Sequence, residues 1–270
     1  MRFYQQLAPD LPVRTPRAFH AAIEAGTTSF DLLLEDCAPA QPGDQLVGCT
    51  PEQAVPAIDQ LVQLHAARWD DPALPSVAWL HRDREAGQEL MAQLLPNLWD
   101  AFRTRYDGDL GPDVHRAGDI LFAALDGYLL ADTRPWTIVH GDYRLDNLLF
   151  DPEPGGPVTV LDWQMCSTGP GLHDVAYFIG AGLVPEDRRA VEEDLVRRYH
   201  DGLVAAGVTG YDADRAWHDY RRGTWAGLIM AVGAAMLVER TDRGDRMFLT
   251  MAERHARHAL DLDAPETLRS

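Results

Sequence analysis

The chain has 270 residues, of which 46% are apolar and 24% are charged, and its formal net charge is −18. This length and composition are typical of a globular protein with a substantial buried core. The excess of acidic residues argues against nucleic acid and against an anionic membrane as partners, because both attract basic patches. A solvated acidic surface explains the charge most simply, and an acidic cleft for a cationic substrate is the alternative.

All 24 positively charged residues are arginines, and the sequence contains no lysine. The three cysteines, Cys37, Cys49 and Cys166, lack the spacing of metal ligands and indicate reduced thiols. The N-terminal residues show no apolar signal region. The longest apolar run, residues 225–238, is too short to cross a bilayer and predicts a buried helix. These features together predict a cytoplasmic protein.

The first predicted elements are a helix end at residues 1–8, a short strand at 30–35 and a loop rich in proline and glycine at 39–48. Thr50 then begins a capping-box pattern, with Pro51 at the first helical position. The inward face of this helix is predicted from the helical spacing of Val55, Ile58, Val62, His65 and Trp69.

The rest of the chain is predicted to be mainly helical, with short strands around one motif. In order, the patterns predict helices at 85–105 and 114–130, a strand at 136–139, strands at 148–150 and 158–161 joined by a turn, and helices that include 191–203, 212–239 and 243–260. Neither an internal repeat nor a low-complexity segment is found.

The most informative segment is residues 140–164, which contains His-Gly-Asp-Tyr-Arg-Leu-Asp-Asn, the predicted hairpin and then Val-Leu-Asp-Trp-Gln. Phosphoryl transfer requires an oriented nucleophile and metal ions that neutralise the phosphate charge. Asp142 is suited to accept the proton of a substrate hydroxyl. Asn147 and Asp162 offer the hard oxygen ligands that Mg²⁺ prefers. The intervening strands are expected to bring these three residues around one point.

Several residues near the motif have structural interpretations. His140 is predicted to be a buried scaffold residue that holds the loop. Arg144 and Asp146 are either substrate contacts or a salt bridge within the loop. Asp174 is predicted to cap or brace the helix that starts beside it.

Two metal-site alternatives are weaker. His173 and Asp174 are similar to the His-Asp doublet of metal-dependent phosphohydrolases, but the further ligands of such a site cannot be assigned. His255 and His258 lie three residues apart on a predicted helix and could share a metal, although an exposed helix face is the expected arrangement. The sequence has no serine-hydrolase elbow and no glycine-rich nucleotide loop.

The chain resembles the aminoglycoside phosphotransferase and choline kinase superfamily. The segments that carry the resemblance are residues 140–150, 160–164 and 169–179. The ecdysteroid-kinase-like branch is the most similar, on the basis of Arg-Phe-Tyr at 2–4, Leu-Leu-Leu-Glu-Asp at 32–36 and Leu-His-Ala at 64–66. The resemblance implies an α/β (α+β), protein-kinase-like fold. Residues 1–37 would be a remnant of the N-terminal nucleotide-binding lobe with the hinge, and residues 38–270 the helical C-terminal lobe.

The resemblance also implies an ATP- and Mg²⁺-dependent enzyme that phosphorylates a hydroxyl of a small molecule. The implied site residues are Asp142 as the catalytic base, Asn147 and Asp162 as metal ligands, and Glu35, Asp36 and Cys37 as the hinge that holds adenine. The substrate would bind between the helices of residues 75–130 and 212–240.

The chain departs from this family in the nucleotide lobe. The phosphate-covering loop, the lysine that grips the ATP phosphates and the glutamate that pairs with this lysine are not found in the sequence. Either Met1 is a misplaced start and the natural protein continues upstream, or the chain is a degenerate relative that serves as a binding protein. Retention of Asp142, Asn147 and Asp162 favours the first explanation. The 270 residues alone are expected to bind ATP weakly.

Overall fold

The computed structural model describes residues 1–24, 26–27, 29–80 and 84–268. Its elements in chain order are α1 Arg2–Gln6, β1 Ala18–Ile23, β2 Phe30–Leu34, β3 Gln41–Pro42, α2 Pro51–Ala66, α3 Arg84–Arg105, α4 Pro112–Ala123, α5 Leu125–Leu129, β4 Thr137–Val139, β5 Leu148–Phe150, β6 Val158–Val160, β7 Ser167–Gly169, α6 Leu172–Gly182, α7 Pro185–Ala205, α8 Ala213–Leu237 and α9 Asp242–Asp261. This order confirms the predicted mixture of many helices and a few short strands.

The strands form three small antiparallel sheets, in the orders β1-β2, β3-β5-β6 and β4-β7. The β5–β6 hairpin confirms the two predicted strands, and Leu148 lies opposite Val160 in its register. Both side chains are fully buried, which fixes the register because a shift by one residue would expose them. Strand β1 was not predicted, and β3 lies within the predicted loop at 39–48.

Helix α2 begins with the predicted capping box. The Thr50 side chain accepts a hydrogen bond from the Gln53 backbone N–H, and the Gln53 side chain accepts one from the Thr50 N–H. The inward face differs in part from the prediction, because the fully buried apolar residues are Ala54, Ala57, Ile58, Leu61 and Leu64. Val55 and Val62 are only half-buried, and Trp69 lies beyond the end of the helix.

Helix α6 lies at the centre of the molecule, and ten of its eleven residues are buried. It packs against α2, α7, α8 and α9. Gly223 allows α8 to approach closely, because a Cβ there would lie 2.8 Å from the Leu172 carbonyl oxygen. The apolar run at 225–238 belongs mostly to α8, and none of the described helices is long and apolar enough to span a membrane.

Candidate active site

Strand β4 leads directly into the loop that contains the motif. His140 is fully buried, and its Nε2 lies 2.8 Å from the Leu161 carbonyl oxygen, which confirms the predicted scaffold role. Gly141 has φ of +81°, and a Cβ there would lie 2.8 Å from the Met165 carbonyl oxygen. The sharp turn before Asp142 therefore requires glycine.

Asp174 braces this loop, which corrects the expectation that it would cap or brace its own helix. Its Oδ2 accepts a hydrogen bond of 2.6 Å from the His140 backbone N–H, and its Oδ1 accepts one of 3.0 Å from the Gly141 N–H. His65 Nε2 lies 3.3 Å from Oδ2. Burial opposes ionisation of this carboxyl, but the contacts with His65 and His140 hold its pKa below the ordinary value. The loop uses both Asp174 oxygens, and the described residues contain no group of three His, Cys, Asp or Glu side chains that could hold a metal ion around the His173-Asp174 pair.

Three donors surround the Asp142 carboxylate. Arg144 Nε lies 3.2 Å and Asn147 Nδ2 2.9 Å from Oδ2, while the Tyr177 hydroxyl donates a hydrogen bond of 3.1 Å to Oδ1. Asn147 Nδ2 also donates to the Asp142 carbonyl oxygen at 2.9 Å. The Asp142 side chain is 16% exposed, so the carboxylate is held in place and can still be reached from the solvent.

Asp146 joins two arginines beside Asp142. Arg144 Nη1 lies 2.6 Å from Asp146 Oδ2, which confirms the predicted salt bridge within the loop. Arg243 of α9 contacts both Asp146 oxygens at 3.2 Å. Burial opposes ionisation of Asp146, but hydrogen bonds from Arg243, the Gln45 backbone N–H and Arg144 outweigh it and hold its pKa below the ordinary value. This network keeps the Arg144 guanidinium next to the Asp142 carboxylate.

Asp162 follows β6 and lies in an exposed turn near the loop. The preceding residue, Leu161, donates its backbone N–H to the Asn147 carbonyl oxygen at 2.9 Å and contacts His140 through its own carbonyl oxygen. Asp162 has φ of +57°, a left-handed conformation that aspartate tolerates better than most residues. Asp162 therefore directly follows Leu161, whose backbone N–H is hydrogen-bonded to Asn147.

Aromatic residues of α1 pack beside Asp162. The Phe3 ring stacks on Trp163, with ring centroids 3.7 Å apart and planes at 6°. Burial, and then the charges of Asp162 and Cys37, raise the pKa of Tyr4 to about 12. Tyr4 is thus within electrostatic reach of Asp162 and of Cys37, a residue of the predicted hinge.

The predicted hinge residues follow β2. Glu35 donates its backbone N–H to the Arg17 carbonyl oxygen at 2.9 Å, and its side chain accepts from the Arg17 N–H at 3.1 Å. Asp36 accepts a hydrogen bond from the Ala38 N–H, and Cys37 is half-buried. Burial, followed by the charge of Glu35, raises the pKa of the Cys37 thiol. Glu35 and Asp36 are exposed, so this segment is accessible to a ligand.

The expectation that His255 and His258 lie on an exposed helix face is wrong, because both are fully buried. The buried stripe of α9 also includes Met247, Met251 and Ala259, so the histidines lie on the apolar face of an amphipathic helix. His258 Nε2 lies 2.9 Å from the Tyr220 hydroxyl. Among the described residues, no cluster of three or more His, Cys, Asp or Glu side chains is arranged to hold a metal ion.

Sequence reasoning missed several residues that contact the loop, among them Tyr177 and Gln45. Tyr177 lies three residues after Asp174 on α6, and this helical spacing was the available signal. Gln45 is buried; its Oε1 accepts from the Leu145 N–H at 2.9 Å, and its Nε2 donates to the Ala181 carbonyl oxygen at 2.8 Å. Gln45 lies about one hundred residues before the loop, and no local pattern marks it.

Comparisons with known proteins agree with this architecture. A family model described as the phosphotransferase enzyme family matches residues 1–217. Over 49 residues, 18% of this chain and 5% of the relative, the chain is 49% identical to acyl-CoA dehydrogenase family member 10 of Mus musculus. Over 76 residues, 28% of this chain and 10% of the relative, it is 33% identical to acyl-CoA dehydrogenase family member 11 of Gallus gallus. The matched segments are therefore a small part of these longer relatives.

A solved structure extends the likeness to nearly the whole chain. The crystal structure of spectinomycin phosphotransferase in complex with ADP and spectinomycin covers 97% of this chain and is itself covered to 81%, with a TM-score of 0.57 and 14% sequence identity. At this identity the likeness concerns the fold. It confirms the predicted α/β (α+β), protein-kinase-like fold. The predicted aminoglycoside phosphotransferase and choline kinase superfamily is supported by the family model that matches residues 1–217.

Proposed function

Because the chain belongs to the phosphotransferase enzyme family, we propose that it transfers the γ-phosphoryl group of ATP to a hydroxyl of a small molecule, with Mg²⁺ as cofactor. The observation that carries this proposal is the contact between Asp142 and Asn147, in a loop that is hydrogen-bonded to Asp174 of α6. Asp142 is the proposed catalytic base, and Asn147 and Asp162 are the proposed metal ligands.

The hydrogen bonds around Asp142 favour one oxygen as the proton acceptor. Oδ2 accepts from Arg144 and Asn147, which together use both of its lone pairs. Among the described residues Oδ1 accepts from Tyr177, so its second lone pair can accept a substrate hydroxyl. In the transfer, the acceptor oxygen bonds to the γ-phosphorus, the bond from this phosphorus to ADP breaks, and the hydroxyl proton moves to Oδ1.

The orientation of the Asn147 amide supports its role as a metal ligand. Its nitrogen donates to Asp142 twice, so the amide oxygen is the atom proposed as the metal ligand. Asp162 supplies an exposed carboxylate. One carboxylate and one amide oxygen are the hard ligands that Mg²⁺ accepts beside nucleotide phosphates. When bound, Mg²⁺ would neutralise charge on the transferred phosphoryl group.

The nucleotide is proposed to contact the exposed backbone of Glu35, Asp36 and Cys37. In this proposal residues 1–37 act as the remnant of a nucleotide-binding lobe, residues 38–270 form the catalytic and substrate-binding lobe, and the acceptor binds between α3–α5 and α8. The ecdysteroid-kinase-like branch is the proposed subgroup. A cytoplasmic location is part of the proposal, because three cysteines are few and odd in number for a disulfide-stabilised protein.

A catalytically impaired binding protein is the second candidate. The observation that favours it is the absence of lysine from the 270 residues, since an arginine fork is a poor replacement for a compact ammonium group at ATP phosphates. This candidate predicts that Asp162→Ala changes nothing beyond stability.

The two candidates are distinguished by transfer of labelled γ-phosphate from Mg·ATP to choline, spectinomycin and glucose. Asp142→Asn should abolish turnover, while the melting temperature and Mg·ATP binding stay close to those of the wild type. Asp162→Ala should raise the Mg²⁺ concentration needed for turnover. Asp194→Asn, on the exposed face of α7, is the matched control and should behave as the wild type. Normal turnover by Asp142→Asn would contradict the assignment of the base.

A further inference from the structure

The Tyr177 hydroxyl is placed against the proposed base from inside the protein. It donates to Asp142 Oδ1 at 3.1 Å, while the other two donors approach Oδ2. Burial, and then the charge of Asp142, raise the pKa of Tyr177 well above the ordinary value. The phenol therefore stays protonated and remains a donor throughout the physiological pH range.

The His255 ring of α9 stacks on the Tyr177 ring. The two rings are parallel, with centroids 5.4 Å apart and an angle of 2° between their planes. His255 is fully buried, and neither ring nitrogen has a hydrogen-bond partner among the described residues. Burying polar atoms without hydrogen-bond partners is unfavourable, so hydrogen bonds of its own do not explain why His255 is buried here.

Two glycines create the space for this histidine. A Cβ on Gly227 of α8 would lie 2.1 Å from the His255 ring, and one on Gly180 of α6 would lie 2.7 Å from His255 Nδ1 and 2.4 Å from His258 Nδ1. Glycine inside a helix is less favourable than alanine. Helices α6, α8 and α9 thus each carry an unfavourable residue around the stacked rings of His255 and Tyr177. The Tyr177 hydroxyl in turn contacts Asp142. Departures from local preference of this kind are expected at functional sites.

We propose that Tyr177 is a positioning residue that fixes Asp142 Oδ1 for the acceptor hydroxyl, and that His255 holds the Tyr177 ring in the required place. This inference rests on the proposed phosphotransferase function. Tyr177 acts through Asp142: with its hydrogen bond on one lone pair of Oδ1, the acceptor hydroxyl is directed to the other lone pair.

The decisive variant is Tyr177→Phe, which removes one oxygen and keeps the ring. We expect kcat to fall by about tenfold to a hundredfold, since small misplacements of reacting groups have effects of this size, with KM for ATP unchanged. His255→Ala should lower kcat in the same way, and His255→Phe, which retains a flat ring, should restore most of it.

Tyr211→Phe is the matched control, because Tyr211 also donates to a carboxylate, that of Asp219, at 2.9 Å. It should alter stability without lowering kcat. If Tyr177→Phe shows the wild-type kcat, the inference is overturned.

A second measurement does not depend on turnover. The buried Tyr177 hydroxyl proton should give a slowly exchanging NMR signal, assigned by its loss in Tyr177→Phe. This signal should shift or exchange faster in Asp142→Ala and in His255→Ala. If the wild type phosphorylates none of the three acceptors, the function proposal fails on those substrates, and the NMR signal then decides the inference. An unchanged signal in Asp142→Ala overturns it.

Discussion

The carboxylate of Asp174 accepts a hydrogen bond of 2.6 Å from the backbone N–H of His140. This bond ties the first turn of α6 to the start of the loop that carries Asp142. Because α6 is almost completely buried, this bond anchors the loop to the core. The position of the proposed base is therefore set by the packing of α6 as well as by the loop sequence.

Asp174→Ala should lower the free energy of unfolding by about 3 kcal/mol, because two backbone N–H groups and His65 lose a buried acceptor. Urea denaturation of the full chain measures this change. Asp194→Ala, an exposed aspartate on α7, is the control and should stay within about 0.5 kcal/mol of the wild type. Equal stability of the two variants would contradict the bracing role of Asp174.

The contribution of Asp174 should also depend on pH. The pKa of this carboxyl is held below its ordinary value in the fold, so its stabilisation is fully present above the unfolded value of about 4 and is lost as pH falls through the folded value. The difference in stability between the wild type and Asp174→Asn should therefore shrink on acidification from pH 6 to pH 3. A difference that stays constant over this range would show that the charge of Asp174 contributes nothing.

His255 leads to a pH effect in a different range. Burial, followed by the charge of His258, lowers the pKa of His255 well below its ordinary value, so the ring is neutral in the folded protein. In the unfolded chain this histidine binds a proton below about pH 6.5. Below that pH, the free energy of unfolding should therefore decrease by about 1.4 kcal/mol for each unit by which the pH is lowered. His255→Phe should remove this part of the pH dependence. Melting temperatures at pH 7.5 and 5.5 test it, with His200→Gln as a half-buried control.

The candidate site motif and its hairpin were predictable because their signals are local. The spacing of five residues between Asp142 and Asn147 and the turn between two apolar runs are visible in the sequence, and the structure contains the predicted strands. Strand β1 carried no such signal, because its alanine-rich residues lack a strict alternation of apolar and polar side chains. It forms because β2 lies beside it.

The environment of His255 could not be predicted, because distant residues create it. Gly180 and Gly227 lie on other helices, and only the packing of α6, α8 and α9 brings them to this ring. A histidine on a helix with several charged residues is usually exposed, which explains the wrong expectation. The contact of Asp174 with the loop depends on tertiary packing in the same way.

Two of the buried glycines of α8 allow a matched comparison. A Cβ at Gly227 would lie 2.1 to 2.3 Å from three atoms of the His255 ring, whereas a Cβ at Gly233 would have no neighbour within 4 Å among the described residues. Gly227→Ala should lower the free energy of unfolding by about 1–3 kcal/mol or more, because the crowded ring must move. Gly233→Ala should raise it by up to about 1 kcal/mol through helix propensity. Urea denaturation measures both, and a stabilising Gly227→Ala would show that His255 is not held in this slot.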